Sequence, residues 1–220
     1  MTSPFRRHRM AAEAAAASTD TETLRNASGY EVMLVKLAED RRRLKDLQSV
    51  QAKADLKREL LPDYDGWVRG VLEHGQGAQD DVLATVMLWS IDAGQYQKAL
   101  DIGAYILRYQ LAMPDQFERS PQALLVEEIS DAAKRARDGG QPFEVDLLHC
   151  ALELTDGLDM HDQIRAKAWK ELGLLTEDAT KRLQYLQRAQ ALNANAGVKK
   201  EIQAAERAIQ NAAASQKAGG

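Results

Sequence analysis

The chain has 220 residues, of which 45% are hydrophobic, 28% charged and only 5% aromatic, and its formal net charge is −4. This length can bury one large core or two small ones, and the shortage of aromatic residues argues against an all-β protein and for packed helices. The single cysteine, Cys150, excludes an internal disulfide, and no apolar stretch approaches the roughly 18 residues that a membrane-spanning helix needs.

Residues 1–28 predict a basic, disordered arm. Arg6, Arg7 and Arg9 lie near its start, and the polar residues that follow its Ala-rich run show no apolar period. Residues 1–58 carry twelve Lys or Arg against eight Asp or Glu, a net charge of +4, whereas the remainder carries seventeen against twenty-five, a net charge of −8. The amino-terminal part is therefore the candidate for contact with a polyanion.

Residues 30–61 contain neither Gly nor Pro and predict one long helix that Pro62 ends. Apolar residues recur on one face of this helix, namely Tyr30, Met33, Leu37, Leu44 and Leu47. Asp40 and Gln51 interrupt the pattern, so two interpretations stay open. The face forms a contact between subunits in an oligomer, or the helix packs on its own domain.

The same helix carries the densest basic segment, with eight Lys or Arg against four Asp or Glu between residues 36 and 58. Three consecutive arginines in it sweep around some 200° of a helix at about 100° per residue, so they cannot all face one core. The predicted DNA-phosphate contacts are Lys36, Arg41, Arg42, Arg43, Lys45, Lys53, Lys57 and Arg58, together with Arg6, Arg7 and Arg9 of the arm. The alternative is an ordinary solvated helix with ion pairs such as Asp40 with Arg43.

Downstream of Pro62 the sequence predicts only helices and turns. Asp80 and Asp81 open an apolar helix that Gly94 ends, and the helix that follows it completes a hairpin. Gly139-Gly140-Gln141-Pro142 predicts a linker. The other helices are predicted over residues 66–74, 96–111, 122–137, 143–154, 163–175, 180–192 and 198–211.

The predicted fold is all-α: a long N-terminal helix, then helical hairpins and a TPR-like C-terminal part. Gly94-Gln-Tyr-Gln-Lys-Ala-Leu100 and Trp169-Lys-Glu-Leu-Gly173 resemble parts of tetratricopeptide repeats. They do not recur at the expected period of about 34 residues, so ordinary antiparallel helices explain them equally well. The predicted domains are an arm (1–28), a long basic helix with a helical domain (29–138), a TPR-like domain (143–211) and a disordered tail (212–220).

Carboxylates that could hold the divalent metal of a nuclease occur only as adjacent pairs or in a turn. Neighbouring side chains on a helix point about 100° apart, so each pair offers at most one ligand to a given ion. The groups are Asp80 with Asp81, Glu127 with Glu128, and the turn Asp159-Met160-His161-Asp162. The histidines lack metal-binding spacing, and His149 beside Cys150 is interpreted as a packed residue. We therefore predict no catalytic residue, no metal and no cofactor.

Several short segments, taken in their order along the chain, form a pattern that can be compared with known families. They are Tyr30-Glu-Val-Met-Leu-Val-Lys-Leu37, Lys57-Arg-Glu-Leu-Leu-Pro62, Gly75-Gln-Gly-Ala-Gln-Asp-Asp81 and Thr85-Val-Met-Leu-Trp89. No segment is diagnostic alone, but the ordered set resembles the small terminase subunit family of temperate tailed phages with cohesive-end genomes. The resemblance covers residues 30–111 closely and continues more loosely to residue 202.

The resemblance implies viral DNA packaging in the cytoplasm of the infected bacterial host. Such a subunit binds double-stranded viral DNA at the packaging site and presents it to a large terminase subunit, an ATPase that drives DNA into the procapsid. It also implies a homo-oligomer, expected to be a ring, and no membrane partner. The family is described as the endonuclease subunit as well, so a metal-dependent endonuclease stays the alternative. A helical-repeat adaptor that binds only proteins is the second alternative.

Overall fold

A computed structural model describes residues 21–114 and 118–218, with side chains described over residues 29–114 and 118–214. Within these ranges every regular element is helical, as predicted. The contacts divide the chain into two compact units, with the boundary between Leu56 and Lys57. No described helix combines the length and the hydrophobicity needed to cross a bilayer. The predicted DNA contacts Arg6, Arg7 and Arg9 lie outside the described residues.

The helices confirm most predicted elements, with ends shifted by a few residues. They are α1 (Thr21–Asp46), α2 (Val50–Leu60), a 3₁₀ turn (Leu61–Tyr64), α3 (Asp65–His74), α4 (Asp81–Asp92), α5 (Tyr96–Arg108), α6 (Pro121–Asp138), α7 (Val145–Leu154), α8 (Asp162–Leu175), α9 (Ala179–Leu192) and α10 (Lys199–Ala218). Many helices of the second unit pack against the next helix along the chain, as in the pairs α4–α5, α8–α9 and α9–α10.

The long amino-terminal helix exists as α1, which has 26 residues. It begins before residue 28, so residues 21–28 are helical although they were predicted to belong to a disordered arm. Gly29 does not stop it, because one glycine costs a helix only about 1 kcal/mol.

The prediction of one continuous helix to residue 61 is wrong. Residues 47–49 are not helical. The Ala52 N–H donates to Ser49 Oγ at 3.2 Å, which makes Ser49 the N-cap of a separate helix, α2. The serine cap satisfies a backbone donor that a continuous helix would have bonded internally, so the chain can begin a new helix without Gly or Pro.

The predicted hairpin is confirmed as α4 and α5. Gly94 has a φ of +80°, and the Gln95 N–H donates to the Ser90 carbonyl at 2.7 Å, which closes α4. Helix α5 ends earlier than predicted because Gln110 adopts a φ of +53° and the Leu111 N–H bonds back to Ile106. The core of the second compact unit includes the fully buried Leu83, Met87, Ile91, Leu100, Ile102, Ile106, Leu125, Ile129 and Leu148.

Residues 139–142 form the turn between α6 and α7. Gly140 has a φ of +64°, and the Gln141 N–H donates to the Ala136 carbonyl at 2.8 Å. Both sides of this turn lie in the second compact unit, and the domain boundary predicted there stays a prediction.

The last helix is longer than predicted. Helix α10 continues through Ala218, so most of residues 212–220, predicted as a disordered tail, are helical. The reason is the alanine content of this segment, because alanine has the highest helix propensity.

Helices α8 and α9 approach closely where Gly173 faces Leu186. A Cβ atom on Gly173 would lie 2.8 Å from Leu186 Cγ and 3.3 Å from the Leu186 backbone nitrogen. Trp169 of the same segment has its ring centroid 5.6 Å from that of Tyr185. These contacts agree with the small residue expected between paired helices, while kinship with tetratricopeptide repeats stays a prediction.

Replacing Gly173 with alanine should lower the free energy of unfolding by about 1–3 kcal/mol, because the added methyl group overlaps Leu186. Gly70 in α3 is the matched control, since a Cβ there meets nothing within 4 Å. The same substitution at Gly70 should raise the free energy of unfolding by about 0.5–1 kcal/mol. Urea unfolding followed by circular dichroism measures both changes. Stabilisation by both substitutions would contradict the close approach.

Candidate nucleic-acid interface

The buried carboxylate of Asp40 organises the basic segment of α1. Asp40 is only 3% exposed. Lys36 Nζ lies 2.9 Å from Asp40 Oδ2, and Arg43 Nη1 lies 3.4 Å from Asp40 Oδ1. A carboxylate taken out of water needs such partners, because an uncompensated buried charge is strongly destabilising. Lys36 and Arg43 therefore have a structural role, and the Asp40–Arg43 pair named in the alternative interpretation is present.

Two other predicted phosphate contacts of α1, Arg42 and Lys45, are exposed. Neither forms an ion pair with any residue that the structure describes. They lie three positions apart, so they are neighbours on the helix surface. Arg41 and Lys53 are half-buried. Arg42 and Lys45 are thus the members of the predicted set on α1 most accessible to a phosphate.

Lys57 and Arg58 contact the carboxyl-terminal end of α4. Lys57 forms an ion pair with Asp92, and Arg58 Nε donates to the Ala93 carbonyl at 3.1 Å. Ala93 is the C-cap of α4, where unpaired carbonyl groups favour cations. These partners lie 35 positions away in sequence, so no local pattern revealed them. The role of both residues in DNA binding stays a prediction.

The predicted oligomer contacts differ in burial. Leu37 and Leu44 are buried, whereas Tyr30, Met33 and Leu47 are half-buried. Val32 and Val35, which lie on another side of the helix, are 64% and 69% exposed. Two valines three positions apart on a charged helix were the available sequence signal. The role of the predicted set in oligomerisation stays a prediction.

The candidate metal ligands Asp80 and Asp81 mark the start of α4, as the sequence predicted. Asp80 is its N-cap: Leu83 N–H donates to Oδ1 at 2.8 Å, and Trp67 Nε1–H donates to Oδ2 at 2.8 Å. Burial raises the pKa of the Asp80 carboxyl, against the effect of these hydrogen bonds. Asp80 therefore connects α4 to the indole of α3.

The remaining candidates for metal chemistry have other partners. Glu127 pairs with Arg119, and the Tyr185 hydroxyl lies 3.0 Å from His149 Nε2. Burial, followed by the charges of Asp92 and Asp131, raises the pKa of Glu128. Over residues 21–114 and 118–218, no three His, Cys, Asp or Glu side chains are grouped so that they could hold a metal ion.

An open cavity of about 790 Å³ lies beside α7, α8 and α9. Arg165 of α8 contacts the loop between α7 and α8, where its Nη2 donates to the Thr155 and Leu158 carbonyls at 3.0 and 2.9 Å. Arg188 lies at the same cavity. The rim also carries four carboxylates, Glu153, Asp156, Asp159 and Asp162. Because these acids repel phosphate, the cavity is a poor site for nucleic acid.

Comparison with known proteins gives two matches of different kinds. Residues 34–163 match the family model described as the phage small terminase subunit. The chain is also 49% identical over 213 residues to the terminase, endonuclease subunit, of Escherichia phage P2; the match covers 95% of this chain and 86% of that protein. No solved structure gives a significant match.

Proposed function

Because this chain belongs to the phage small terminase subunit family, we propose that it binds viral DNA at the packaging site and presents it to the large, ATP-hydrolysing terminase subunit. Family membership supports a terminase role in phage DNA packaging. For the DNA-binding step, the main support is the pair of exposed cations Arg42 and Lys45 on a net-positive part of the chain. The protein acts in the cytoplasm of the infected bacterium.

Arg42 and Lys45 bind phosphates of the DNA backbone, and Arg6, Arg7 and Arg9 add contacts from the amino-terminal arm. Each contact releases a counterion, so affinity falls steeply as the salt concentration rises. Phosphate contacts position a protein on the duplex, whereas recognition of the packaging site also needs contacts with base edges.

Protein partners bind elsewhere in this proposal. The chain after residue 58 has a net charge of −8, so most of its surface would repel DNA. That surface is therefore available for binding the large subunit. Helix α1 provides the contact between copies of the chain in a ring-shaped oligomer. The half-buried Tyr30, Met33 and Leu47 are the apolar side chains for that contact, whereas the exposed Val32 and Val35 lie on another side of the helix.

Replacing Arg42 and Lys45 together with alanine should weaken binding to a viral duplex roughly tenfold at about 0.1 M salt. The slope of log K against log salt should fall by about two, one for each lost phosphate contact. Fluorescence anisotropy over a series of salt concentrations measures both. The control replaces the exposed Lys134 and Arg135 of α6 with alanine, which removes the same charge from another helix. An equal loss in both variants, or in neither, would contradict a contact on α1.

A second candidate function is DNA cleavage by this subunit, which the name of the phage P2 relative, terminase, endonuclease subunit, favours. Purified chain is incubated with viral DNA and Mg²⁺ or Mn²⁺ in the absence of the large subunit. Cutting that requires the metal would assign cleavage to this chain. Intact DNA would leave cleavage to the large subunit. Failure to retain DNA even at low salt would favour an adaptor that binds only proteins.

A further inference from the structure

The net charge of the chain after residue 58 conceals a basic carboxyl-terminal end. Residues 59–178 carry ten Lys or Arg against twenty-three Asp or Glu, a net charge of −13. Residues 179–220 carry seven against two, a net charge of +5. The acidic part is therefore the middle of the chain, and both ends are cationic.

Three of these seven cations lie on one side of helix α10. Lys199, Lys200 and Arg207 are exposed, and so are Gln203 and Gln210. At about 100° per residue, these five side chains fall within a sector of about 100°. The buried residues of the same helix, Ile202 and Ala205, lie outside this sector on the side that packs on the protein. Glu206 falls just beyond one edge of the sector, and Glu201 lies on another side.

Among the described side chains, the three cations on this face have no ionic partner. None of Lys199, Lys200 and Arg207 forms an ion pair or a side-chain hydrogen bond within the part of the chain that the structure describes. Lys36, Arg43 and Lys57 differ in this respect, because each is paired with a carboxylate. The positive charge on α10 is thus more accessible than much of the charge on α1 and α2.

The position of the two lysines is unfavourable for the helix itself. Lys199 and Lys200 are the first two residues of α10, where the positive end of the helix dipole disfavours cations by about 0.3–1 kcal/mol each. No described contact of these lysines offsets that cost. A local rule broken without a structural compensation is typical of a functional surface.

We infer that Lys199, Lys200, Gln203 and Arg207 form a second contact surface for the phosphate backbone of duplex DNA. The inference rests on the proposed function, which provides the duplex as the polyanion. Lys200 and Arg207 lie about 10 Å apart along the helix axis, and the same length of duplex carries about six phosphate charges. The Gln203 amide lies between them and donates to phosphate oxygens. This surface contributes affinity without reading sequence.

The test uses the full-length chain and a short duplex of mixed sequence. Lys199, Lys200 and Arg207 are replaced together with glutamine, which keeps the exposed face polar. The slope of log K against log salt should fall by about three, and affinity at about 0.1 M salt should fall at least tenfold. The control replaces the exposed Arg69, Lys134 and Arg135 with glutamine, and it should change the slope by less than one.

The outcomes separate this inference from the proposed function. Unchanged binding by the α10 variant, with weaker binding by the Arg42 and Lys45 variant, overturns the second surface alone. An equal loss in the α10 variant and its control also overturns it, because net charge would then explain both. No binding by the unsubstituted chain overturns the proposed function. If the triple variant fails to fold, Arg207→Gln alone should still lower the slope by about one.

Discussion

Replacing Arg137 with alanine is expected to lower the free energy of unfolding by about 3–5 kcal/mol. Arg137 Nε donates to Glu171 Oε2 at 2.8 Å, and Arg137 Nη2 donates to Oε1 at 3.3 Å. Glu171 is only 1% exposed. The substitution therefore leaves a buried carboxylate without its counter-charge, which costs far more than the loss of a surface ion pair.

Urea unfolding followed by circular dichroism measures this effect, with Lys134→Ala as the matched control. Lys134 lies on the same helix and pairs with the exposed Asp138, so its loss should cost about 0.2–1 kcal/mol. A double substitution, Arg137→Met with Glu171→Met, removes both charges and should recover most of the stability. An effect of Arg137→Ala as small as that of Lys134→Ala would contradict a buried pair.

The same experiment tests the domain boundary predicted at residues 139–142. The Arg137–Glu171 pair connects α6 to α8 across that turn. If the two sides were independent domains, loss of the pair would separate their unfolding into two transitions. A single transition in the variant would show that both sides unfold cooperatively.

Replacing Asp80 with alanine is expected to lower the free energy of unfolding by about 2–4 kcal/mol. The change removes the N-cap of α4, which contributes about 0.5–2 kcal/mol. It also leaves the Trp67 indole N–H without its described acceptor, at a cost of about 1–3 kcal/mol. Asp178→Ala is the matched control, because Asp178 caps α9 at an exposed position and should cost only about 1 kcal/mol. Equal effects of both changes in urea unfolding would contradict the role of Trp67.

The stability contribution of Asp80 should also depend on pH. Burial raises the pKa of Asp80 in the folded chain above its usual value of 3.8. The folded state therefore holds this proton more tightly than the unfolded state, and the contribution of Asp80 falls as pH rises from 3.8 through the raised pKa. Asp80→Asn cannot titrate. The stability of the unsubstituted chain relative to Asp80→Asn should fall over this range and level off above it, as urea unfolding at several pH values would measure.

The helices after Pro62 could be predicted because their signals are local. Gly94, Pro121 and Gly139 mark their ends, and the spacing of apolar residues marks their buried faces. The break before α2 could not be predicted in this way. The apolar spacing of a continuous helix and of two helices is similar, and the cap that starts α2 is one serine hydroxyl, that of Ser49.

The candidate interface could be predicted only as a set of cations. Counting charges treats Arg42 and Lys36 alike, although Arg42 is exposed and Lys36 is paired with Asp40. The partner of Lys57 lies 35 positions away, so it depends on tertiary packing. The basic carboxyl-terminal end was missed for a different reason. A single net charge was counted for residues 59–220, and the acidic middle of the chain outweighed the basic end.

The packing of helices against their sequence neighbours has a consequence for how the chain folds. Pairs such as α4–α5 and α8–α9 consist of local contacts, which give a low contact order and fast folding. Each pair can form as soon as its second helix leaves the ribosome. The apolar surface of the first helix of a pair is then buried early by the second. Contacts such as Arg137–Glu171 form later, because they need helices that are farther apart in sequence.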